Sequence, residues 1–450
     1  MTTSGDLPFD VESVRRDFPI LARCLSNGAP LAYLDTAATS QKPRVVIDKV
    51  VECYEQYNAN VHRGFHEFTD RMTTELENAR ATVQRFIGAK EVDEIVFTSG
   101  TTMSLNTVAH GWARKFLTPG DEVLVNPMEH HANLVPWQLA AKATGAVLKY
   151  IPLTDDGRLD LSHLDQLLTA RTKMVAVTAM SNVLGTINPI SELAQRAHDV
   201  GALICVDGAQ SVPHGATNVR ALNIDFLAFS GHKLYGPTGI GVLWARKELL
   251  ESMDPLLTRG NMVNEVFEQT STWKPAPAKF EAGTIPFVEA VALGTAIDYV
   301  GMLGVDRISS YEHELSAYAH KKIGEIPSVR VLGPKVEHKG AILSFVVDEI
   351  NPDDVHSHDL SAFYERKGVA VRVGHHCTMP LHRLLNLTSS TRASLAFYNT
   401  KGEVDCLAEA IMDSKNVFGA EAKRRRSDAR KARAGKTEQP DVVPPTRGTS

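Results

Sequence analysis

The sequence predicts an α/β protein: a large, doubly wound domain on a mostly parallel seven-stranded sheet, followed by a smaller α+β domain. Three observations predict it. Seven short runs between residues 94 and 245 are apolar on nearly every position, as strands buried by helices on both faces are. Amphipathic stretches such as 161–169 and 190–200 lie between the runs. After about residue 290 the alternation gives way to long helical stretches and then to separate strands.

The seven runs are EIVFTSG (94–100), EVLVNPM (122–128), AVLKYIPL (146–153), MVAVTAMS (174–181), ALICVDGA (202–209), DFLAFSG (225–231) and GIGVLWA (239–245). In such sheets ligands bind beyond the carboxyl ends of the strands. Helical patterns at 289–300 and 304–325 lead to the strand-like runs RVLG, AILSFVVD, VAVRVG and ASLAFYN. The expected division is a segment 1–30, too short to fold alone and packing on the body, a large domain 31–290, a small domain 291–415 and a tail 416–450.

Composition narrows the function. Of 450 residues, 43% are apolar and 22% charged, a globular mixture that excludes a disordered or fibrous chain. No run approaches the roughly 18 apolar residues of a membrane helix, and the N-terminus lacks the apolar core of a signal peptide. Five scattered cysteines without a CxxC suggest a reducing cytoplasm. The segment 423–450 holds nine Lys/Arg against three Asp/Glu, so a chain of net charge −5 has an acidic body and a basic tail. An acidic body argues against a nucleic-acid partner. The basic end reads as solvated and disordered.

Five segments carry candidate chemistry. In TSGTTMSLN (98–106) a strand runs through Ser99 and Gly100 into a helix starting near Thr101 and Thr102, where free N–H groups and hydroxyls suit a phosphate; a plain helix cap is the alternative. In ICVDGAQS (204–211) Asp207 stands at a strand end, where a carboxylate must be solvated or paired, with an Asx turn as the alternative. In FSGHKLYG (229–236) Lys233 follows a buried strand beside Ser230 and His232; partial desolvation would free its amine as a nucleophile. In MEHHANLVPW (128–137) His130 or His131 could stack on a ring or move protons. No Cys/His cluster there completes a metal set. In VAVRVGHHCTMPLHRLL (369–385) Cys377 follows a Gly-His-His turn with Arg372 and Arg383 near it in sequence, and a cationic setting favours thiolate. Arg392, placed just before the last run, could grip a carboxylate with two parallel hydrogen bonds.

Together a phosphate cradle, an acid, a strand-end lysine, a histidine and an arginine make the set that pyridoxal phosphate requires. The chain resembles the pyridoxal-phosphate enzymes of fold type I, aminotransferase class V. It is most similar to the group II, SufS-type cysteine desulfurases, which include selenocysteine lyases. The resemblance rests on LAYLDTAATSQKP, NVHRGFH, FTSGTT, EHHANLVPWQ, SNVLGT, VDGAQS, FSGHKLYGPTGIG, KFEAGT, RVGHHC and RASLAFYNT, in that order over residues 31–400.

The resemblance implies a homodimer that converts L-cysteine to L-alanine. Lys233 would join the cofactor aldehyde and act as base, and Asp207 would face the pyridine nitrogen. Gln210 and Asn182 would contact the ring hydroxyl, and His130 would stack on the ring and transfer protons. Thr101, Thr102, Ser230 and His232 would hold the phosphate, with Thr284 reaching it from the partner subunit. Arg392 would hold the substrate carboxylate, Arg372 would lie close to the active cysteine, and Ala37, Ala38 and His62 would line the substrate entrance. Cys377 would take the sulfur as a persulfide and pass it to an acceptor of the SufE or SufU type and on to an iron–sulfur scaffold. A lyase for selenocysteine or cysteine sulfinate, and a non-catalytic adaptor, are the alternatives. One departure is TRGNMVNEV (258–266), where the family often has a glycine-rich segment; Arg259 brings bulk and charge to the mouth of the site.

Overall fold

The computed structural model describes residues 9–62, 64–258, 262–348, 350 and 357–419. Arg259 and the tail from residue 420 therefore lie outside the described residues.

All seven apolar runs form strands of one sheet: β1 (Ile95–Thr98), β2 (Glu122–Val125), β3 (Val147–Tyr150), β4 (Thr172–Thr178), β5 (Leu203–Asp207), β6 (Phe226–Ser230) and β7 (Gly241–Ala245). Their order is β1-β7-β6-β5-β4-β2-β3. β7 runs antiparallel to both of its neighbours, and every other pair is parallel. β1, β6 and β7 are buried at every position, which explains their uninterrupted apolar character. β3 closes one edge and exposes both of its end residues.

The flanking helices follow the hydrophobic period. Ile190–Asp199 buries Ile190, Leu193, Ala194 and Ala197, spaced three and four apart, and turns its charged face outward. Phe287–Leu303 is apolar on all sides and packs against Glu67–Phe86 and Arg44–Gln56. Among the described residues no single helix is long and apolar enough to cross a membrane.

The second sheet contains β8 (Val329–Val331), β9 (Ile342–Val347), β10 (Arg372–Gly374) and β11 (Ser390–Ser394), antiparallel and ordered β8-β9-β11-β10. The run VAVRVG divides: Val369–Ala370 pairs with Ala32–Tyr33 in a separate parallel ribbon, and only Arg372–Gly374 joins the sheet. Helices Val305–Gly324 and Lys401–Ser414 cover this unit.

Three local expectations need correction. The stretch 161–169 yields only the single turn Leu164–Leu167. Asp160 accepts the Ser162 backbone N–H at 3.0 Å and its hydroxyl at 2.6 Å, holding the start in an Asx turn. The Thr169 N–H then bonds to Thr172 Oγ1 at 3.0 Å and ends the helical path. The last strand is Ser390–Ser394 rather than 393–399, so Arg392 lies inside it instead of before it. Beyond Leu395 the Asn399 side chain accepts the Ala396 N–H at 2.8 Å and turns the chain away, which places Phe397 and Tyr398 in the core. Finally, helical backbone continues through Lys415–Gly419, past the expected start of the tail, where Phe418 packs on Phe363 with ring centroids 5.4 Å apart.

The N-terminal segment threads its side chains into the main core. Phe18 is fully buried and meets Tyr398 at 4.9 Å and Tyr235 at 6.3 Å between ring centroids. Tyr235 in turn meets Phe397 at 4.4 Å. This aromatic group joins Phe18, the turn after β6 and the stretch after β11.

Candidate active site

The carboxyl ends of β1, β4, β5 and β6 converge on a cavity of about 330 Å³, within the usual range for small-molecule sites. Beyond β1 the chain turns at Gly100, whose φ of 145° is open to glycine alone, and an added Cβ there would meet Ser230 Oγ at 3.3 Å. Thr101 opens the helix Thr101–Val108. Its N–H donates to Ser230 Oγ at 2.8 Å, and the two hydroxyls lie 2.7 Å apart. Two loops far apart in sequence are thereby joined into one hydroxyl-lined cup at a helix N-terminus, an environment that favours an anion.

Asp207 is the last residue of β5 and is 3% exposed. Its Oδ1 accepts the Ala209 N–H at 2.9 Å. Burial pushes its carboxyl up, opposed by that hydrogen bond and by Lys233. Lys233 ends the 3-10 turn Gly231–Lys233 directly after β6. Burial pushes its ammonium down to about 8; Asp207 resists the shift and Arg392 adds to it. Part of the Lys233 side chain faces the cavity, so the amine is withdrawn from bulk water yet reachable from the site.

His130 caps the turn His131–Asn133, and its Nδ1 accepts the Ala132 N–H at 3.1 Å. Burial, then Lys233, lowers it to about 4, so the ring is neutral near pH 7. Beneath it Glu129, fully buried, accepts the Asn133 amide at 2.7 Å and the Thr178 N–H at 2.8 Å, with Asn126 as a third donor. Glu129 thus ties the histidine turn to the end of β4. Gln210 donates to the Ala37 carbonyl at 2.9 Å and fixes the segment carrying Ala37 and Ala38 over the cavity.

The small sheet supplies the opposite wall. His376 and Cys377 adopt left-handed φ values of 51° and 56°, a conformation that costs a non-glycine residue about 1–3 kcal/mol and persists only where the surroundings impose it. The constraints are visible. Asn182 donates to the His376 carbonyl at 2.9 Å, the His131 N–H donates to the Cys377 carbonyl at 2.8 Å, and His376 Nε2 lies 3.1 Å from the Ser390 carbonyl. Cys377 is exposed. It lines the same cavity as Lys233, Arg372 and Arg392.

Arg392 is 2% exposed. Its Nη1 donates to the Asn182 carbonyl at 3.0 Å and its Nη2 to Asp35 Oδ1 at 3.3 Å, while its buried Nε has no partner among the described residues. Burial lowers its basicity, with Asp35 opposing. A buried arginine that lines the cavity beside Arg372 can offer a carboxylate charge-assisted hydrogen bonds.

Fourteen residues singled out from the sequence line this one cavity: Ala37, Ala38, Thr101, Thr102, His130, Asn182, Asp207, Gln210, Ser230, His232, Lys233, Arg372, Cys377 and Arg392. Two do not. His62 is exposed, and its N–H is bound by Thr73 Oγ1 at 3.0 Å. Thr284 is exposed, three residues beyond Glu281, which Arg80 grips through two bonds of 2.6 and 3.0 Å. Arg383 also misses the cavity: the helix Met379–Leu384 turns Leu381 and His382 inward and leaves Arg383 exposed. Sequence reasoning passed over Asp35, Glu129 and His376. Asp35 carries the signal that marked Asp207, an acid just past an apolar run, and the other two flank residues already noted.

Residues 32–407 match the aminotransferase class-V family. The chain belongs to that family. A probable cysteine desulfurase of Streptomyces coelicolor is 48% identical over 415 residues, covering 91% of this chain and 98% of that protein. A cysteine desulfurase of Haloferax volcanii is 45% identical, covering 93% and 100%. Among solved structures, the cysteine desulfurase CsdA of Escherichia coli superposes with a TM-score of 0.83 at 37% identity, covering 92% of this chain and 100% of that one. The architecture is therefore that of class-V aminotransferases, pyridoxal-phosphate fold type I. The cavity fits that group: a hydroxyl and N–H cup for a phosphate, a buried acid for a ring nitrogen and a desolvated amine for an aldehyde.

Proposed function

We propose that Lys233 and Cys377 serve one reaction in this cavity, the removal of sulfur from L-cysteine with release of L-alanine. The enzyme is a pyridoxal-phosphate-dependent cysteine desulfurase. The observation that carries the residue assignment is that one cavity of about 330 Å³ is lined by both the lysine and the thiol, with Arg372 and Arg392 beside them.

Thr101, Thr102, Ser230 and His232 would hold the cofactor phosphate. Asp207 would hold the ring nitrogen, Asn182 and Gln210 the ring oxygen, His130 the ring face and Lys233 the aldehyde. When bound, pyridoxal phosphate supplies an electrophilic aldehyde and an acceptor for electrons released at the substrate α-carbon. Arg392 orients the substrate carboxylate, its guanidinium held in place by the Asn182 carbonyl and Asp35. Lys233, whose amine burial makes available near neutral pH, takes the α-proton and gives one back to the α-carbon before alanine leaves. Cys377 loses its proton, and its thiolate attacks the substrate sulfur. A sulfur–sulfur bond forms, the carbon–sulfur bond breaks, and its electron pair stays with the substrate carbon, which gains a proton. The balance is L-cysteine plus a thiol giving L-alanine plus a persulfide on Cys377.

An exposed Cys377 supports delivery of that sulfur to a second protein, an acceptor of the SufE or SufU type feeding an iron–sulfur scaffold. The exposed Thr284 on a pinned segment supports a homodimer in which it reaches the neighbouring phosphate site. A cytoplasmic setting suits a thiol that must be returned to its reduced form after each cycle. The test is incubation with L-cysteine, measuring alanine and sulfide with and without a reductant, followed by intact-mass analysis. An adduct of about +32 Da on Cys377 is expected; alanine formation with no added mass at Cys377 would defeat the assignment.

A further inference from the structure

Lys42 lies outside the cavity lining and is used by none of the steps above. Its half-buried side chain runs under the turn that carries Lys233. Its ammonium donates to the His232 carbonyl at 2.8 Å and to the Ser40 carbonyl at 2.6 Å, with Ser40 Oγ 3.4 Å away. No carboxylate lies within ion-pair distance of it among the described residues. Burial pushes it down to about 7, which agrees with a lysine spent on neutral acceptors.

The acceptor is the peptide bond immediately before Lys233. Three further donors converge on that carbonyl: the Ser40 N–H at 3.0 Å, Thr39 Oγ1 at 3.0 Å and Ser40 Oγ at 3.1 Å. Ser40 Oγ also receives the Tyr235 N–H at 2.8 Å, and Tyr235 holds a left-handed φ of 58°. The 39–42 segment therefore grips the lysine turn on both sides of Lys233. A peptide plane fixed by a charged donor sets the direction in which the next side chain leaves the backbone.

We propose that Lys42 is a positioning residue: by holding the His232 carbonyl it fixes the peptide from which Lys233 extends, and so sets the rate at which Lys233 captures the cofactor aldehyde. The proposal rests on the reading that Lys233 is the residue that binds that aldehyde.

The experiment uses the cofactor-depleted protein and follows capture of pyridoxal phosphate and, separately, of pyridoxal, which lacks the phosphate. Borohydride fixation and peptide mass analysis locate the bond. Lys42→Met is expected to slow capture of both aldehydes about tenfold or more, the scale of a misplaced reacting group. Lys42→Arg, which restores a charged donor, should recover most of the rate. If Lys42→Met does not fold, as judged by thermal unfolding, Lys42→Gln takes its place with the same expectation of slowing. Unchanged capture by a folded Lys42→Met or Lys42→Gln overturns the proposal. Slowing confined to pyridoxal phosphate also overturns it, because Lys42 would then act on the phosphate through His232. A borohydride-fixed adduct on a residue other than 233 in the unaltered protein refutes the underlying Lys233 reading instead.

Discussion

Arg372 and Arg392 stand directly opposite each other in neighbouring strands, and both donate to the carboxylate of Asp35. Two like charges face to face across a strand pair are destabilising, and Asp35 is the group that lets both remain at the cavity. Arg392, the more buried, keeps one N–H unpaired among the described residues.

Replacing Asp35 with Ala therefore leaves the two guanidinium groups without their shared anion. The expected outcome is a KM for L-cysteine about tenfold higher, equal to about 1.4 kcal/mol of substrate binding, with a smaller change in kcat. Steady-state alanine formation checks it, and an unchanged KM would remove Asp35 from the account.

Lys233 provides a pH dependence. Its ammonium is pushed down to about 8 by burial, with Asp207 opposing. The amine is the reactive form, so capture of an aldehyde by the cofactor-depleted protein should rise with pH and level off above a midpoint near 8. An ordinary lysine would keep rising toward about 10.4. Stopped-flow absorbance between pH 6 and 10 distinguishes the two.

Cys377→Ala removes the sulfur acceptor and leaves the cofactor cup intact, since the cup is built from Thr101, Ser230 and Asp207. Alanine formation from L-cysteine should fall by about 10² or more, the scale of losing a catalytic nucleophile. The absorbance of the bound cofactor should persist. Retention of full desulfurase activity would contradict the assignment.

Arg80→Met tests the pinned segment before Thr284. Arg80 is 1% exposed and ties Glu281 to the Ile95 carbonyl of β1. Removing one partner of a buried pair leaves a charge unmatched and costs about 3–5 kcal/mol. Chemical denaturation with matched cofactor occupancy measures it, and a loss under about 1 kcal/mol would show that Glu281 finds another partner.

The sheet was legible because its strands are buried on both faces, so the apolar runs were unbroken and each strand-end polar residue stood out. That is how Asp207, Lys233 and the Ser99–Thr102 turn could be singled out from the sequence. Asp35 also stands just past an apolar run, but its partners are visible only in three dimensions, since it meets residues more than 300 positions away. The final strand was misplaced for a related reason. The apolar residues after Leu395 serve the aromatic group around Phe18 and Tyr235, and local sequence cannot separate that destination from a sheet.

The Phe18 ring touches Tyr235, two positions after Lys233. A shortened chain beginning near residue 31 would keep every residue of the cavity wall and still lose the wedge that seats the lysine turn. A truncation that removes Phe18 would therefore reach the turn that carries Lys233.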